Sequence, residues 1–528
     1  MESEDNIDLY LVFHSSLSSS HVLFSSFGRW QILCARGSGK SIALKRCQIT
    51  VILHQQFQCH LWMLLNSILL EIEKFSPPSV FAGCPLNQLG ESLDSLKNPI
   101  NHLTPLRWSQ EHKIFFDCSA VSSIPFVPFP EHYVDKWSEY YVRLPCSPKS
   151  LYPVTENGKK SLIARWNLIE KCLRQRISTP SELQEAVLSY NSRFRTTWNF
   201  NVFHNLCADK LLPDGDEEHF FRQTLPVLCS LALNLPVYLT QPIPLMRSGR
   251  ARSFTFSQLQ VASLLANAFF CTFPRRNSLG RTAEFANFPA INFSALVTIP
   301  AGVVTYTRRC LGAQAPNWAE SVCSFDQLRI HISSTGTVEE AGPDTLQVDF
   351  ANRYLGGGVL NSGCVQEEIM FVLRPELLAA CLFMERLDDD ETVIVEGVEQ
   401  YSISHGYADN FRWAGDYRES QSGNQRDEWG RWRTTVVAMD ALYFGSSEAQ
   451  YLPKSILREL NKAYCGFTDT LEPNRALPSV VATGNWGCGA FRGDTDLKGN
   501  LWNVLATLGN TMHAHPTGLY EYIKQRLT

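Results

Sequence analysis

The chain has 528 residues, a mass of 59.7 kDa and a formal net charge of −5 with a pI near 6.2, which makes two domains a better expectation than one core. Hydrophobic residues at 44% and charged residues at 19% sit near the globular average, excluding a disordered chain and a membrane-embedded one. The mildly acidic balance offers no global attraction to nucleic acid, so no direct DNA binding is expected and a polyanionic partner has to be read by a local site.

Residues 1–130 carry no assignable fold. They open on the acidic Met1-Glu2-Ser3-Glu4-Asp5, unlike the basic start of a secretory signal, and the 16 cysteines of the chain form no CxxC pair. A reducing compartment with free thiols is therefore expected, and no His/Cys spacing suggests a metal site. Arg36-Gly37-Ser38-Gly39-Lys40-Ser41 has Cys34 where a phosphate loop needs glycine, so a surface turn is the better reading. The apolar run Trp62 to Ile72 is far shorter than the roughly 20 residues of a membrane-spanning helix. Asn292-Phe293-Ser294 fits a glycosylation sequon that an intracellular chain would not use.

Residues 131–285 read as an all-helical accessory domain. Thr179-Pro180-Ser181-Glu182 is a capping box with proline at the first helical position, and Leu183, Ala186, Val187 and Tyr190 follow on one face. Ser257 with Gln260 opens a second helix, whose Val261, Leu264, Leu265, Ala268 and Phe269 make an apolar stripe that belongs in a core.

From residue 286 to 528 the period changes to that of an α/β domain, a mixed sheet flanked by helices. Strands are predicted at Gly302–Thr307, Leu328–Ser333, Leu346–Phe350, Thr392–Val395, Thr434–Ala441 and Val480–Ala482. Helices are predicted at Pro375–Phe383 and Pro453–Cys465, the second closed by Gly466 at its C-cap.

Two glycine-rich loops follow predicted strands. One runs from Val348-Asp349-Phe350-Ala351-Asn352 through Gly356-Gly357-Gly358 to Gln366-Glu367-Glu368; the other is Thr483-Gly484-Asn485-Trp486-Gly487-Cys488-Gly489-Ala490-Phe491. Glycines let backbone amides approach a ligand, which is how a protein without a basic patch holds a diphosphate at strand ends. The apolar Ile369–Leu373 after the Glu pair places that pair at the edge of buried structure. Breaking a bond between sugars needs a proton for the departing hydroxyl and stabilisation of a cationic sugar, which is carboxylate work. Two neighbouring carboxylates favour keeping a proton on one of them, although adjacent side chains often point apart.

With a Gly-Gly-Gly, seven residues and Gln-Glu-Glu, the chain resembles the poly(ADP-ribose) glycohydrolases. Leu151-Tyr152-Pro153-Val154, Leu264–Asn277 and Leu460–Phe467 extend the resemblance. It implies a macrodomain-like catalytic domain behind a helical one, hydrolysing ribose–ribose O-glycosidic bonds without metal or cofactor. Its substrate would be polymer on modified proteins, in the nucleus or cytoplasm, within the DNA damage response. It implies Glu368 as acid/base, Glu367 orienting the distal ribose, and Asp349 in the active site. Asn352 and Gln366 would contact ribose or diphosphate, Val338 and Glu339 the adenine, and Tyr407 would pack over the ligand. Asn485, Trp486, Gly487, Cys488, Gly489 and Ala490 would hold the diphosphate, and Phe491 would position the scissile ribose.

Plainer readings stand beside these. Tyr407 can be a half-buried aromatic, Cys364 and Cys488 space-filling residues, and Asp349 a backbone cap. A non-catalytic ADP-ribose-binding macrodomain is the alternative function, disfavoured by the intact Gln-Glu-Glu. The resemblance also implies a further strand and helices after the second glycine loop, which Leu497 to Thr528 does not resemble. The catalytic domain is therefore expected to be truncated at its C-terminus, with an open sheet edge near Val480–Ala482 or at the strand that would have paired with the missing one, and an uncovered stripe of Leu501, Val504, Leu505 and Leu508.

Overall fold

The computed structural model describes residues 8–12, 89–90 and 106–493, apart from 118–125, 157–158, 209–218, 278–280, 293–301, 319–329, 334–335, 362, 418–425, 428, 470 and 472–476. The Arg36–Ser41 run, Trp62–Ile72 and the stripe from Leu501 to Leu508 lie outside the described residues.

In chain order come β1 (Asp8–Val12), β2 (Leu89–Gly90), β3 (His112–Ile114) and the hairpin β4 (Leu151–Glu156) with β5 (Lys159–Ala164). Helices α1 (Arg165–Leu173), α2 (Pro180–Ser189), α3 (Asn201–Ala208) and α4 (Leu225–Leu233) follow. Thr179 caps α2 as expected, its hydroxyl accepting from the Glu182 N–H at 3.2 Å. Leu183, Val187 and Tyr190 of the expected face are buried and Ala186 is partly so, at about 1.5–3 kcal/mol for each large apolar side chain.

Strand β6 (Arg252–Ser257) leads into α5 (Gln258–Phe269) through the expected capping box, with Ser257 accepting from Gln260 N–H at 3.2 Å and Gln260 Oε1 from Ser257 N–H at 2.9 Å. The helix is buried on every side. Its polar face is satisfied by main chain: Ser263 Oγ donates to Leu231 O at 2.8 Å and Asn267 Nδ2 to Ala232 O at 3.1 Å, sewing α5 to α4. The region read as all-helical thus also carries a hairpin and a strand of the main sheet. Leu151-Tyr152-Pro153-Val154 is in the hairpin, and the alternation Ser253, Phe254, Thr255, Phe256 puts two rings in the core while Ser253 and Thr255 pair with Thr307 and Thr305, each at 2.9 Å.

The remaining elements are β7 (Val303–Cys310), β8 (Ile330–Ser333), β9 (Thr345–Asp349), α6 (Gln366–Leu373), β10 (Glu391–Glu396), β11 (Ser402–His405), β12 (Arg412–Asp416), β13 (Thr435–Ala438), α7 (Pro453–Phe467) and β14 (Val480–Gly484). All six predicted strands form. Pro375–Phe383 is a 3-10 stretch followed by a single α turn. Gly466 lies inside α7, not beyond it, and the cap is Thr468. A Cβ on Gly466 would stand 3.1 Å from Val437 Cγ2, so glycine is there to let α7 close onto β13. The orphan carbonyls at that helix end are taken by buried Arg309, which donates to Gly466 O at 3.2 Å and to Thr468 O.

The ten-stranded sheet has the order β2-β8-β1-β14-β9-β13-β10-β7-β6-β3. β1, β8, β14, β9 and β13 run parallel to one another, β10 runs antiparallel to them, and β7, antiparallel to β10, returns to their direction. The open edge expected at Val480–Ala482 is absent: β14 pairs with β9 on one side and β1 on the other. A strand from the first residues takes the place the sequence left empty, a non-local pairing with no local signature.

Alternation along the strands sorts the core into two layers. Val393, Val395, Val436, Ala438, Val480 and Ala482 face the large cluster that includes α5 and α6. Leu346, Val348, Ile394, Val437 and Val481 face the side covered by α7, whose Ala463 and Phe467 pack there. Gln347 and Asp349, the alternate residues of β9, therefore point to the α6 side.

Arg308, fully buried, joins this sheet to the loops around it. Its guanidinium binds Glu391 and donates to Glu385 O at 2.6 Å and Arg386 O at 2.8 Å. Burial alone would raise the Glu391 pKa, but the Arg308 hydrogen bond and charge, with Asp388 and Gly249 N–H donors, hold it at about 2. We expect Arg308→Met to cost about 3–5 kcal/mol in urea unfolding, because it leaves a buried charge uncompensated. Since the folded pKa is depressed, the Glu391 contribution is complete above the ordinary carboxylate range and is lost as pH falls towards 2. The acid-dependent fall in stability should be smaller in the variant than in the parent; equal midpoints and equal acid profiles would contradict this account.

Candidate active site

Because β14, β9 and β13 are adjacent and parallel, the loops that follow them open on one edge of the sheet. Strand ends of this kind are where open α/β sheets bind ligands. The loop after β9 carries the glycine triplet, α6 begins with Gln366-Glu367-Glu368, and the loop after β14 is Asn485–Phe491.

The two glutamates do not point apart. Both fold back onto the glycine turn: Glu367 accepts from Gly356 N–H at 2.6 Å and Asn352 N–H at 2.9 Å. Glu368 accepts from Gly358 N–H at 2.8 Å and Val365 N–H at 2.9 Å. Four main-chain donors thus hold two carboxyl groups that are 3% and 6% exposed. Gly357 has φ 48°, and a Cβ there would stand 2.5 Å from an oxygen of each glutamate. Gly363, which the sequence did not single out, is needed equally, since its Cβ would lie 2.6 Å from Glu368 Oε1.

Asp349 ends β9 fully buried, and neither of its oxygens has a hydrogen-bond partner among the described residues. It is therefore not a backbone cap. Burial first, then the charges of Glu368 and Glu339, push its pKa well above the ordinary range. Glu367 is likewise raised, by burial and then by Asp349 and Glu368, against the lowering effect of its two N–H donors. The cluster retains protons where an isolated carboxylate would be ionised.

Gln366 ties three segments together. Its Oε1 accepts from Phe350 N–H at 2.7 Å, and its Nε2 lies 3.2 Å from both Glu339 Oε1 and Val348 O. Asn352 Oδ1 accepts from Tyr354 N–H at 3.0 Å. Both amides expected on the ligand are thus engaged within the protein. Glu339 opens a 3-10 turn behind buried Val338. Tyr407 stands in the turn of the β11–β12 hairpin, its ring more than a third exposed. Burial of the phenol pushes its pKa up to about 12, and the hydroxyl accepts the N–H of Gln366, an orphan donor at the start of α6. Cys364 and Cys488 are thiols packed in the two loops.

The second loop turns at Gly487, φ 79°, and closes through Gly493 N–H to Gly487 O at 2.8 Å. Trp486 Nε1 donates to Met439 O at 2.9 Å, and Phe444 N–H to Phe491 O at 3.0 Å, which fasten it to the loop after β13. Asn485, Cys488 and Phe491 are partly exposed, and Gly489 and Ala490 are exposed. A cleft of about 900 Å3 lies elsewhere, between the end of α1 and α4, and no residue of this site lines it.

A helical region packed against a mixed sheet, with glycine loops and carboxyl groups at one edge, is the architecture of a helical domain joined to a macrodomain. Two family models match in that order. The helical domain of poly(ADP-ribose) glycohydrolase covers residues 212–310, and the macrodomain fold of the same enzyme covers 315–514. Poly(ADP-ribose) glycohydrolase 1 of Arabidopsis thaliana is 30% identical over 394 residues, 56% of this chain and 71% of that protein. Probable poly(ADP-ribose) glycohydrolase 2 of the same plant is 29% identical over 401 residues, 60% and 75% of the two chains. Poly(ADP-ribose) glycohydrolase 2 of Caenorhabditis elegans is 33% identical over 275 residues, 47% of this chain and 54% of that one. The chain belongs to the poly(ADP-ribose) glycohydrolase family.

Gly357→Ala tests the convergence of the carboxyl groups directly. The methyl group has to displace Glu367 and Glu368, and misplacement of catalytic groups by an ångström costs about 10²-fold in rate. We expect kcat to fall by at least that factor with the circular dichroism spectrum unchanged; activity within a few-fold of the parent would show that the turn does not set the glutamates.

Proposed function

We propose that this chain hydrolyses the ribose–ribose O-glycosidic bond of poly(ADP-ribose) and releases ADP-ribose, with Glu368 as the acid/base. The observation that carries the reading is the convergence of Glu367 and Glu368 on the Gly356–Gly358 turn above Asp349, between two glycine loops.

Glu368 gives its proton to the departing ribose oxygen as the C–O bond breaks, and neighbouring carboxylate stabilises the positive charge on the sugar. A water then adds to the anomeric carbon and returns a proton to Glu368, so the enzyme is regenerated. Glu367, locked by two N–H donors, orients the ribose; Asp349, whose carboxyl oxygens have no hydrogen-bond partner among the described residues, meets a sugar hydroxyl. Exposed amides near Gly489 and Ala490 take the diphosphate, Val338 and Glu339 border the adenine, and Phe491 and Tyr407 close over the ligand. Asn352 and Gln366 act by holding the loop in shape, Gln366 bridging β9 to Glu339. Polymer on modified proteins is the partner. A nuclear or cytoplasmic location fits a chain whose described cysteines are free thiols.

Labelled polymer incubated with the purified chain should yield free ADP-ribose. Glu368→Gln should lose about 10²–10⁴ in rate while ADP-ribose still binds, read by calorimetry; turnover near the parent value would remove Glu368 from the chemistry.

Activity is also expected to survive exhaustive chelation. Among the described residues no group of three or more His, Cys, Asp or Glu could hold a metal ion. Loss of activity with EDTA, restored by a divalent ion, would overturn the metal-free mechanism.

A further inference from the structure

The polymer is longer than the one unit the glycine loops enclose, and the chain as a whole carries a net charge of −5 that repels it. Any hold on the neighbouring unit has to be local. The loop after β13 is the third loop on the site edge and is bound to the other two. Met439 N–H donates to Asp349 O at 3.2 Å, Met439 O accepts from Trp486, and Phe444 N–H donates to Phe491 O. Next to Phe444, Tyr443 is 57% exposed, which leaves its ring accessible at this edge. Next to Phe491, the exposed Arg492 sets its guanidinium 5.3 Å from the centre of the Tyr443 ring.

The position of Arg492 is not what the backbone favours. Its φ is 60°, a conformation that suits glycine, and it is held by its own N–H to Gly489 O at 2.9 Å. A cation and an exposed ring, side by side at the end of a diphosphate loop, match the two recognisable parts of a nucleotide. Bases stack on aromatic faces and guanidinium binds phosphate.

We propose that Tyr443 and Arg492 form a subsite for the ADP-ribose unit adjoining the one in the cleft, with adenine stacked on Tyr443 and the diphosphate on Arg492. The subsite rests on the polymer-hydrolysing function proposed above. It makes the protein prefer polymer to free ADP-ribose and holds the strand as the scissile bond is placed.

Tyr443→Ala and Arg492→Gly test it, glycine being chosen because it accepts φ 60° and keeps the loop. Each should raise KM for polymer about tenfold, at the lower end of base–aromatic stacking, with kcat unchanged and the affinity for free ADP-ribose unchanged by calorimetry. Tyr443→Phe should behave as the parent. Unchanged KM in both variants, or a parallel loss of ADP-ribose affinity, would overturn the subsite. If the parent chain fails to cleave polymer, the hydrolytic function fails by itself. The subsite is then read from polymer binding, which both variants should weaken relative to ADP-ribose binding.

Discussion

The structure depends on the closeness of a main-chain turn to two acidic side chains. Glu367 and Glu368 start a helix that runs into the core, where ionised groups are costly, and four N–H groups of the loop before them accept that burden. A side chain at Gly357 or Gly363 would keep the turn from reaching them. Glycines that look in sequence like ligand-binding glycines therefore serve first to admit the carboxyl groups, whereas Gly489 of the second loop is exposed.

The sheet supplies the other half of the geometry. Strand alternation sends Val348 to the α7 side and Asp349 to the α6 side, so the buried aspartate arrives beside the glutamates with no hydrogen-bond partner for its carboxyl oxygens among the described residues. Burial first, and then the neighbouring carboxyl groups, raise the pKa values of Asp349 and Glu367. Asp349 and Glu367 are thereby biased towards holding a proton beside Glu368.

The helical region holds this edge in place by main-chain contacts made through side chains. Ser263 and Asn267 of α5 bind carbonyls of α4, Arg276 binds carbonyls of Cys381 and Leu382 just beyond α6, and Arg308 binds those of Glu385 and Arg386. Buried guanidinium groups are suited to this, since each presents several donors in a fixed plane. The segment after α6 is thus pinned from two sides, and α6 with it.

The sequence by itself determined the local features: the Thr179 N-cap, the Ser257–Gln260 capping box, six strands of the later sheet, and the two glycine loops with Gln366-Glu367-Glu368. These are set by contacts within a few residues, and residue type and spacing express them directly. The convergence of Glu367 and Glu368 was not legible, because neighbouring side chains diverge unless something distant gathers them, and the gathering groups are amides that carry no residue identity. Gly466 was read as a helix cap because that role is local, whereas its actual role is set by Val437 across the interface. The β14 edge was read as open because its partner, β1, lies more than 460 residues away in sequence. The tertiary structure alone decided which face Asp349 takes, which strand covers β14, and that Tyr443 and Arg492 meet at the mouth of the site, since each depends on pairing between segments far apart along the chain.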